Sequence, residues 1–154
     1  MGKLVFVSGP LFSEADRSFL ERMVDILAGA SGLDPVLDFF LPHRDVGEPH
    51  TDLTASQIFD TDMHNLDLAE MVVALLDGQD VDSGTCIELG HAHAAGKSIF
   101  GLLTDFRACQ DIEASGQRPN LMVWGVCQEG KTLFHDLDSL ASAFAAHVAR
   151  RRQP

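Results

Sequence analysis

Five short apolar runs constrain this chain more than any other feature. They are KLVFVSG (residues 3–9), DPVLDFFLP (34–42), MVVALLD (71–77), SIFGLLTD (98–105) and NLMVWGV (120–126). All are of strand length, and MVVALLD is apolar without interruption. Strands covered on both faces carry continuous apolar runs, whereas a sheet with one wet face alternates. Most of the runs are followed by segments of helical spacing. SEADRSFLERMVDILAGASG places Ala15, Phe19, Met23 and Ile26/Leu27 on one face, with Ser13 as N-cap and Gly29 or Gly32 as stop. TASQIFDTDMHNLDLAE, GTCIELGHAHAAGK (stopped by Gly96) and LDSLASAFAAHVARR read as three further helices, while HRDVGEPHTD (43–52) reads as a loop and residues 106–119 carry weak signals.

Strands alternating with helices predict an α/β fold of three layers, doubly wound and flavodoxin-like or Rossmann-like, around a five-stranded parallel sheet. The expected organisation is one domain over residues 1–154, with no internal repeat. Ligands of such folds gather beyond the carboxyl ends of the strands. Here those ends are Ser8-Gly9-Pro10, Asp77-Gly78 and Thr104-Asp105.

Composition excludes several partners. Eleven Lys and Arg stand against 23 Asp and Glu, a net charge of −12, which repels a phosphate backbone and argues against nucleic acid. A local site for a small nucleotide can still override that field. No apolar run approaches the ~20 residues of a membrane span, and the amino terminus enters a strand pattern too soon for a signal peptide. Three widely spaced cysteines, Cys86, Cys109 and Cys127, imply no disulfide framework and a cytoplasmic setting with reduced thiols.

Two carboxylates stand where apolar residues are expected. In the 54–70 helix, Ile58, Leu66 and Ala69 mark a buried stripe whose fourth member is Asp62, while Asp60 and Asp67 lie away from it as solvated charges. In the next helix Glu88 shares a face with Ala92 and Ala95, which should lie close to the sheet. Asp82 and Ser83 in the preceding loop read either as an N-cap or as part of an anion-attracting helix start. Three such carboxylates around one cleft point to acid–base or nucleophilic chemistry. A metal is disfavoured: His91 and His93 diverge on their helix, and no Cys-x-x-Cys or His-x-x-x-His spacing is present. The three cysteines read as core thiols. SGPLFS matches neither a P-loop nor G-x-G-x-x-G, so no cofactor is expected.

Taken together, LVFVSGPLFSEADR, DMHNLDLAEMVVALLDGQDVDSGTCIELGHAHAAGK and PNLMVWGV resemble the nucleoside 2-deoxyribosyltransferase family, in the family's order and over roughly residues 3–126. The resemblance implies retaining transfer of 2-deoxyribose between nucleobases, with nucleosides and free bases as small-molecule partners. By position, Glu88 would be the nucleophile, Asp62 the acid facing the base, and Asp82 an acid holding the site and sugar. Asn120 would bind the sugar's 5′ end, a residue that in the family can come from a neighbouring subunit, with Met122 lining that boundary, which implies a homo-oligomer of dimer or higher order with shared sites. Phe6, Ser8, Gly9, Phe12, Ser83 and Gly84 complete the expected substrate contacts. Two features depart from the family. Phe6 stands where a tyrosine usually orients the nucleophilic glutamate, and the chain contains no tyrosine, so that hydrogen bond falls to Ser8, another residue or water. The carboxyl end is a helix and an RRRQP tail.

Two other functions stay open at this level. One is a nucleoside or nucleoside 5′-monophosphate N-glycosidase, holding phosphate with Ser83-Gly84-Thr85 or Ser8-Gly9, although the Asn120 block favours unphosphorylated nucleosides. The other is a non-catalytic nucleotide-sensing module.

Overall fold

The computed structural model describes residues 4–47, 52–105 and 119–152. Lys3, Cys109, most of the 106–119 stretch and the last two residues of the tail lie outside them. Strand β1 (Val5–Ser8) leads into helix α1 (Glu14–Ser31). That helix is bracketed as its sequence requires. Ser13 and Asp16 close a capping box, with Ser13 Oγ accepting from the Asp16 N–H at 3.1 Å and Asp16 Oδ2 from the Ser13 N–H at 3.0 Å. Gly32 ends it in the left-handed region, φ 68°, donating its N–H to the Ala28 carbonyl. The buried stripe is Leu20, Met23, Val24, Leu27 and Ala28, rotated from the expected one so that Ala15 is exposed.

The second apolar run yields only a two-residue strand, β2 (Phe39–Phe40). Asp34 turns the chain first, its Oδ1 accepting from the Val36 and Leu37 N–H groups, and these two side chains face solvent. The expected 43–52 loop begins with a helical turn, α2 (Pro42–Asp45), started by a proline with φ already suited to it. Helix α3 (Ala55–Leu68) carries its own capping box between Thr54 and Gln57. It leads to β3 (Met71–Leu75), buried at every residue. Helix α4 (Ser83–Ala94) and strand β4 (Ser98–Leu102) follow.

NLMVWGV is not the fifth strand. It forms helix α5 (Leu121–Val126), capped by Asn120, whose Oδ1 accepts from the Met122 N–H at 2.9 Å. The buried positions are Val123 and Cys127, a spacing of four, while Leu121 and Met122 are exposed. The fifth strand is the short β5 (Leu133–Phe134), and α6 (Leu137–Arg151) ends the fold.

All five strands are parallel, in the order β2-β1-β3-β4-β5. Helices α1 and α6 close one face over Met23, Leu27, Phe100 and Phe144; α3, α4 and α5 close the other over Phe6, Leu66, Leu89 and Val123. The order reverses direction at β1 and β3, so a crevice opens above their carboxyl ends. Among the described residues no helix is long and apolar enough to cross a membrane.

Candidate active site

The crevice is built from backbone features first. At the end of β1, Gly9 has φ 151°, and a Cβ there would come within 3.0 Å of Leu75 Cβ and 3.2 Å of the Leu75 carbonyl. Glycine lets the chain leave the sheet at this point. The loop beyond it is held by Arg17, which donates from Nη1 to the Leu11 carbonyl at 2.8 Å and the Phe12 carbonyl at 3.2 Å. That clamp sets Leu11 and the 72% exposed Phe12 as one wall. Pro42, just past β2, stands on the same rim.

Helix α4 supplies the opposite wall. Asp82 is its N-cap: Oδ2 accepts from the Thr85 N–H at 2.9 Å and from Thr85 Oγ1 at 3.3 Å. A carboxylate suits this end of a helix because the first N–H groups and the peptide dipoles point at it. Gly84 keeps that cap in place, since a Cβ there would lie 3.0 Å from Asp82 Oδ2. One turn further on, Glu88 is half-buried and reaches back across the carboxyl end of the sheet. The face it was expected to share is buried at Ala92 but exposed at Ala95, because α4 has ended there.

Ser8, buried at the last position of β1, donates from Oγ to Glu88 Oε2. Asp62 projects from α3 into the same space. The cleft of about 150 Å³ is thus lined by Ser8, Gly9, Leu11, Phe12, Pro42, Asp62, Asp82, Gly84, Thr85 and Glu88. Three carboxylates, a buried hydroxyl and a helix start converge on one small volume.

Four residues proposed for the site fall elsewhere. Phe6 is fully buried, its ring stacked on Phe40 at 5.4 Å. It shares a sheet face with Ser8 but sits two residues, about 6.6 Å, deeper along the strand. The hydroxyl that meets the glutamate therefore comes from the strand's last residue. Ser83, Asn120 and Met122 line a separate groove of about 530 Å³ between α4 and α5, on the other side of α4 from Glu88. Met122 is 77% exposed there, beside exposed Ile87 and Leu121. Leu11 and Pro42 were not foreseen, and Thr85 was expected only as a phosphate contact of the N-glycosidase alternative. Pro42 marks the end of the second apolar run, which is the signal that would have located it.

The remaining polar residues have structural work. Asp77 ties the carboxyl ends of β3 and β4 together, accepting from the Thr104 and Asp105 N–H groups at 2.5 and 2.9 Å. Asp67, expected to be a solvated charge, pairs with His91 Nε2 at 2.6 Å. Cys127 is a core thiol that burial pushes up to about 12, and Cys86 is raised by burial and then by Asp80 and Asp82, so neither is a thiolate near neutral pH. No group of three metal-ligating side chains is present among the described residues.

Residues 5–122 match the family model described as nucleoside 2-deoxyribosyltransferase. No curated protein matches the chain. Among solved structures, a conserved protein from Enterococcus faecalis V583 superposes with a TM-score of 0.74 at 23% identity, over 98% of this chain and 99% of that one. A 2-deoxyribosyltransferase from the psychrotolerant bacterium Bacillus psychrosaccharolyticus superposes at 0.68 and 18% identity, over 94% of each chain. A third, a 2-deoxyribosyltransferase from Leishmania mexicana, superposes at 0.67 and 20% identity, over 94% of this chain and 98% of that one. At these identities the superpositions speak to the fold.

Proposed function

The chain belongs to the nucleoside 2-deoxyribosyltransferase family, and on that premise we propose that it moves 2-deoxyribose from one nucleobase to another through an ester on Glu88. The observation that carries the proposal is the Ser8–Glu88 hydrogen bond inside a cleft that also holds Asp62 and Asp82.

A Glu88 oxygen attacks the anomeric carbon as the bond to the base breaks. Asp62, across the cleft on α3, gives its proton to the departing base. The resulting deoxyribosyl ester is opened by a second base at the same carbon, whose proton returns to Asp62. Two inversions leave the anomeric configuration unchanged, and the oxocarbenium-like charge that develops each time faces carboxylates. The cleft is sugar-sized, well below the ~300–1,000 Å³ of sites that enclose a whole small molecule, which fits a site gripping the sugar while bases exchange at its mouth. Asp82, fixed by Thr85, holds the sugar side of the cleft.

Ser8 is a positioning residue: it keeps one carboxylate oxygen in place and leaves attack to Glu88. Ser8→Ala is expected to lower kcat about 10- to 100-fold, the worth of one hydrogen bond to a charged group, with little change in KM. Steady-state kinetics check this, and a loss confined to KM contradicts the assignment.

Asn120 and Met122 do not reach this cleft within one chain. We assign Asn120 to the site of a neighbouring copy, where its side-chain amide meets the sugar's 5′ end, so the working unit is a homo-oligomer. Glu88→Ala and Asn120→Ala chains, each inactive alone, should regain activity when co-expressed, because a mixed pair contains one intact site. Absence of any recovery in a purified mixed oligomer contradicts the shared site.

Hydrolysis is the competing outcome. Its phosphate contacts would come from Ser8-Gly9 at the end of β1 or Ser83-Gly84-Thr85 at the start of α4, and of these Ser8, Gly9, Gly84 and Thr85 line the cleft. Chromatography of protein incubated with deoxyinosine plus adenine or cytosine, and separately with deoxynucleoside monophosphates, decides. A new deoxynucleoside supports transfer; free base released from the monophosphate without exchange moves the chain to the hydrolases.

A further inference from the structure

A second polar pocket lies at the opposite corner of the molecule. It opens between α6 and the edge of the sheet, along the first three residues of β4 and beside Phe134 of β5, and has a volume of about 240 Å³. Its polar lining comes from Ser98 on β4, Gln128, Lys131 and Thr132 on the turn before β5, and His147 and Arg150 on α6. Among the described residues no carboxylate lines it, in a chain of net charge −12. Lys131 and Arg150 have no ion-pair partner among the described residues.

Two atoms of the lining residues are buried and have no hydrogen-bond partner among the described residues: Thr132 Oγ1 and His147 Nε2. Buried polar atoms are nearly always satisfied, so these two leave an unmet polar demand in the wall of the pocket. The imidazole is fixed edge-on to Phe100, centroids 5.3 Å apart. Burial and then Arg151 and Arg150 hold it below its usual range, so it offers a neutral ring nitrogen beside two permanent cations.

The turn that carries Gln128 and Lys131 is also conformationally costly. Among the described residues, Gln128 and Glu129 are the two non-glycine residues with positive φ, 53° and 55°, and Gly130 continues at 82°. Left-handed backbone at non-glycine residues is uncommon and often marks functional positions. Here its effect is to bring an amide and an ammonium over the pocket mouth.

We propose that this pocket binds a phosphate group, free or as a phosphomonoester, independently of the Glu88 cleft. Donors arranged on three elements around one volume suit a tetrahedral oxyanion with an oxygen for each wall. A planar carboxylate uses fewer of them.

The test is calorimetric titration of the full chain with inorganic phosphate, and separately with a nucleoside 5′-monophosphate, at constant ionic strength set with chloride. Trp124, the only tryptophan, gives a second readout, because its indole lies against the strained turn: a Cβ on Gly130 would stand 2.6 Å from Trp124 Nε1. Wild-type protein is expected to bind one phosphate per chain with a change in tryptophan emission. The double variant Lys131→Gln/Arg150→Gln, altered only at exposed positions, should bind at least tenfold more weakly with unchanged melting temperature. Thr132→Val, which keeps both cations, should also weaken binding, showing that the pocket and not general charge is responsible. Tighter binding of the monophosphate, lost in the same variants, identifies an organic phosphate as the occupant; equal affinities identify free phosphate. No binding of either, or binding that the variants leave unchanged, overturns the proposal.

Discussion

Replacing Glu88 by alanine is expected to abolish base exchange, lowering turnover by at least about 10³-fold, because losing a nucleophile removes the covalent route and leaves only binding and electrostatics. The fold should survive: Glu88 is half-buried at the cleft edge, while α4 is anchored by Thr85, Leu89 and Ala92. Near-native melting temperature beside lost activity separates chemistry from stability. Glu88→Gln sharpens the test. It retains a side chain able to hydrogen-bond Ser8 but has no carboxylate to form the ester, so it should be as inactive as alanine. Substantial activity in Glu88→Gln, measured by formation of the exchanged nucleoside, contradicts a covalent role.

The largest effect on stability is expected at Phe144 of α6. Its ring is fully buried, 6.0 Å from that of Phe39 and 5.6 Å edge-on to that of Phe100, so it joins α6 to β2 and β4. Truncation to alanine removes aromatic contacts and leaves a cavity that close-packed neighbours fill only in part. Phe144→Ala should cost about 3–5 kcal/mol, a large part of the ~5–15 kcal/mol that holds a domain folded. At about 2–4 °C per kcal/mol for a chain of this size, the melting temperature should fall by roughly 6–20 °C. Phe144→Leu, closer in volume, should lose less. Thermal unfolding followed by circular dichroism checks both, and a shift under about 2 °C for the alanine variant would mean that α6 contributes little to the core.

How much of this was legible in the residues follows from what each signal depends on. MVVALLD and SIFGLLTD are strands because an apolar run buried on both faces has no other place in an α/β fold. Ser13 and Asp82 announce helix starts by side-chain chemistry that acts over three residues. The sheet as a class was readable for the same reason. NLMVWGV misleads because apolar content alone does not distinguish strand from helix at that length. The cap at Asn120 and the Val123–Cys127 spacing were the available signals, and they are local ones. Strand β5, only Leu133–Phe134, has no sequence signature; the β4 edge creates it by pairing Gly101 with Leu133 and Leu102 with Phe134. The second run fails for a different reason, the capture of backbone donors by Asp34.

At the site, Glu88, Asp62 and Asp82 were visible as carboxylates out of pattern. Their convergence with Ser8, Gly9, Phe12 and Gly84 is a matter of strand order that spacing does not encode. Phe6 enters the expected site only through the resemblance, as the match of the family's tyrosine, and depth along β1 separates its buried ring from the Ser8 hydroxyl. The separation of Asn120 and Met122 from that cleft follows from the placement of α5 against the far side of α4, again a tertiary fact.

The central claim is a covalent bond between Glu88 and the sugar, and it is open to direct observation. Protein mixed with a deoxynucleoside in the absence of an acceptor base would be quenched in acid and digested, and its peptides weighed by mass spectrometry. The account predicts that the peptide containing Glu88 gains the mass of one deoxyribosyl group, that an added base discharges it to a new nucleoside, and that Glu88→Gln shows neither. Exchange proceeding with no adduct on any peptide, or with the adduct on another residue, would contradict it.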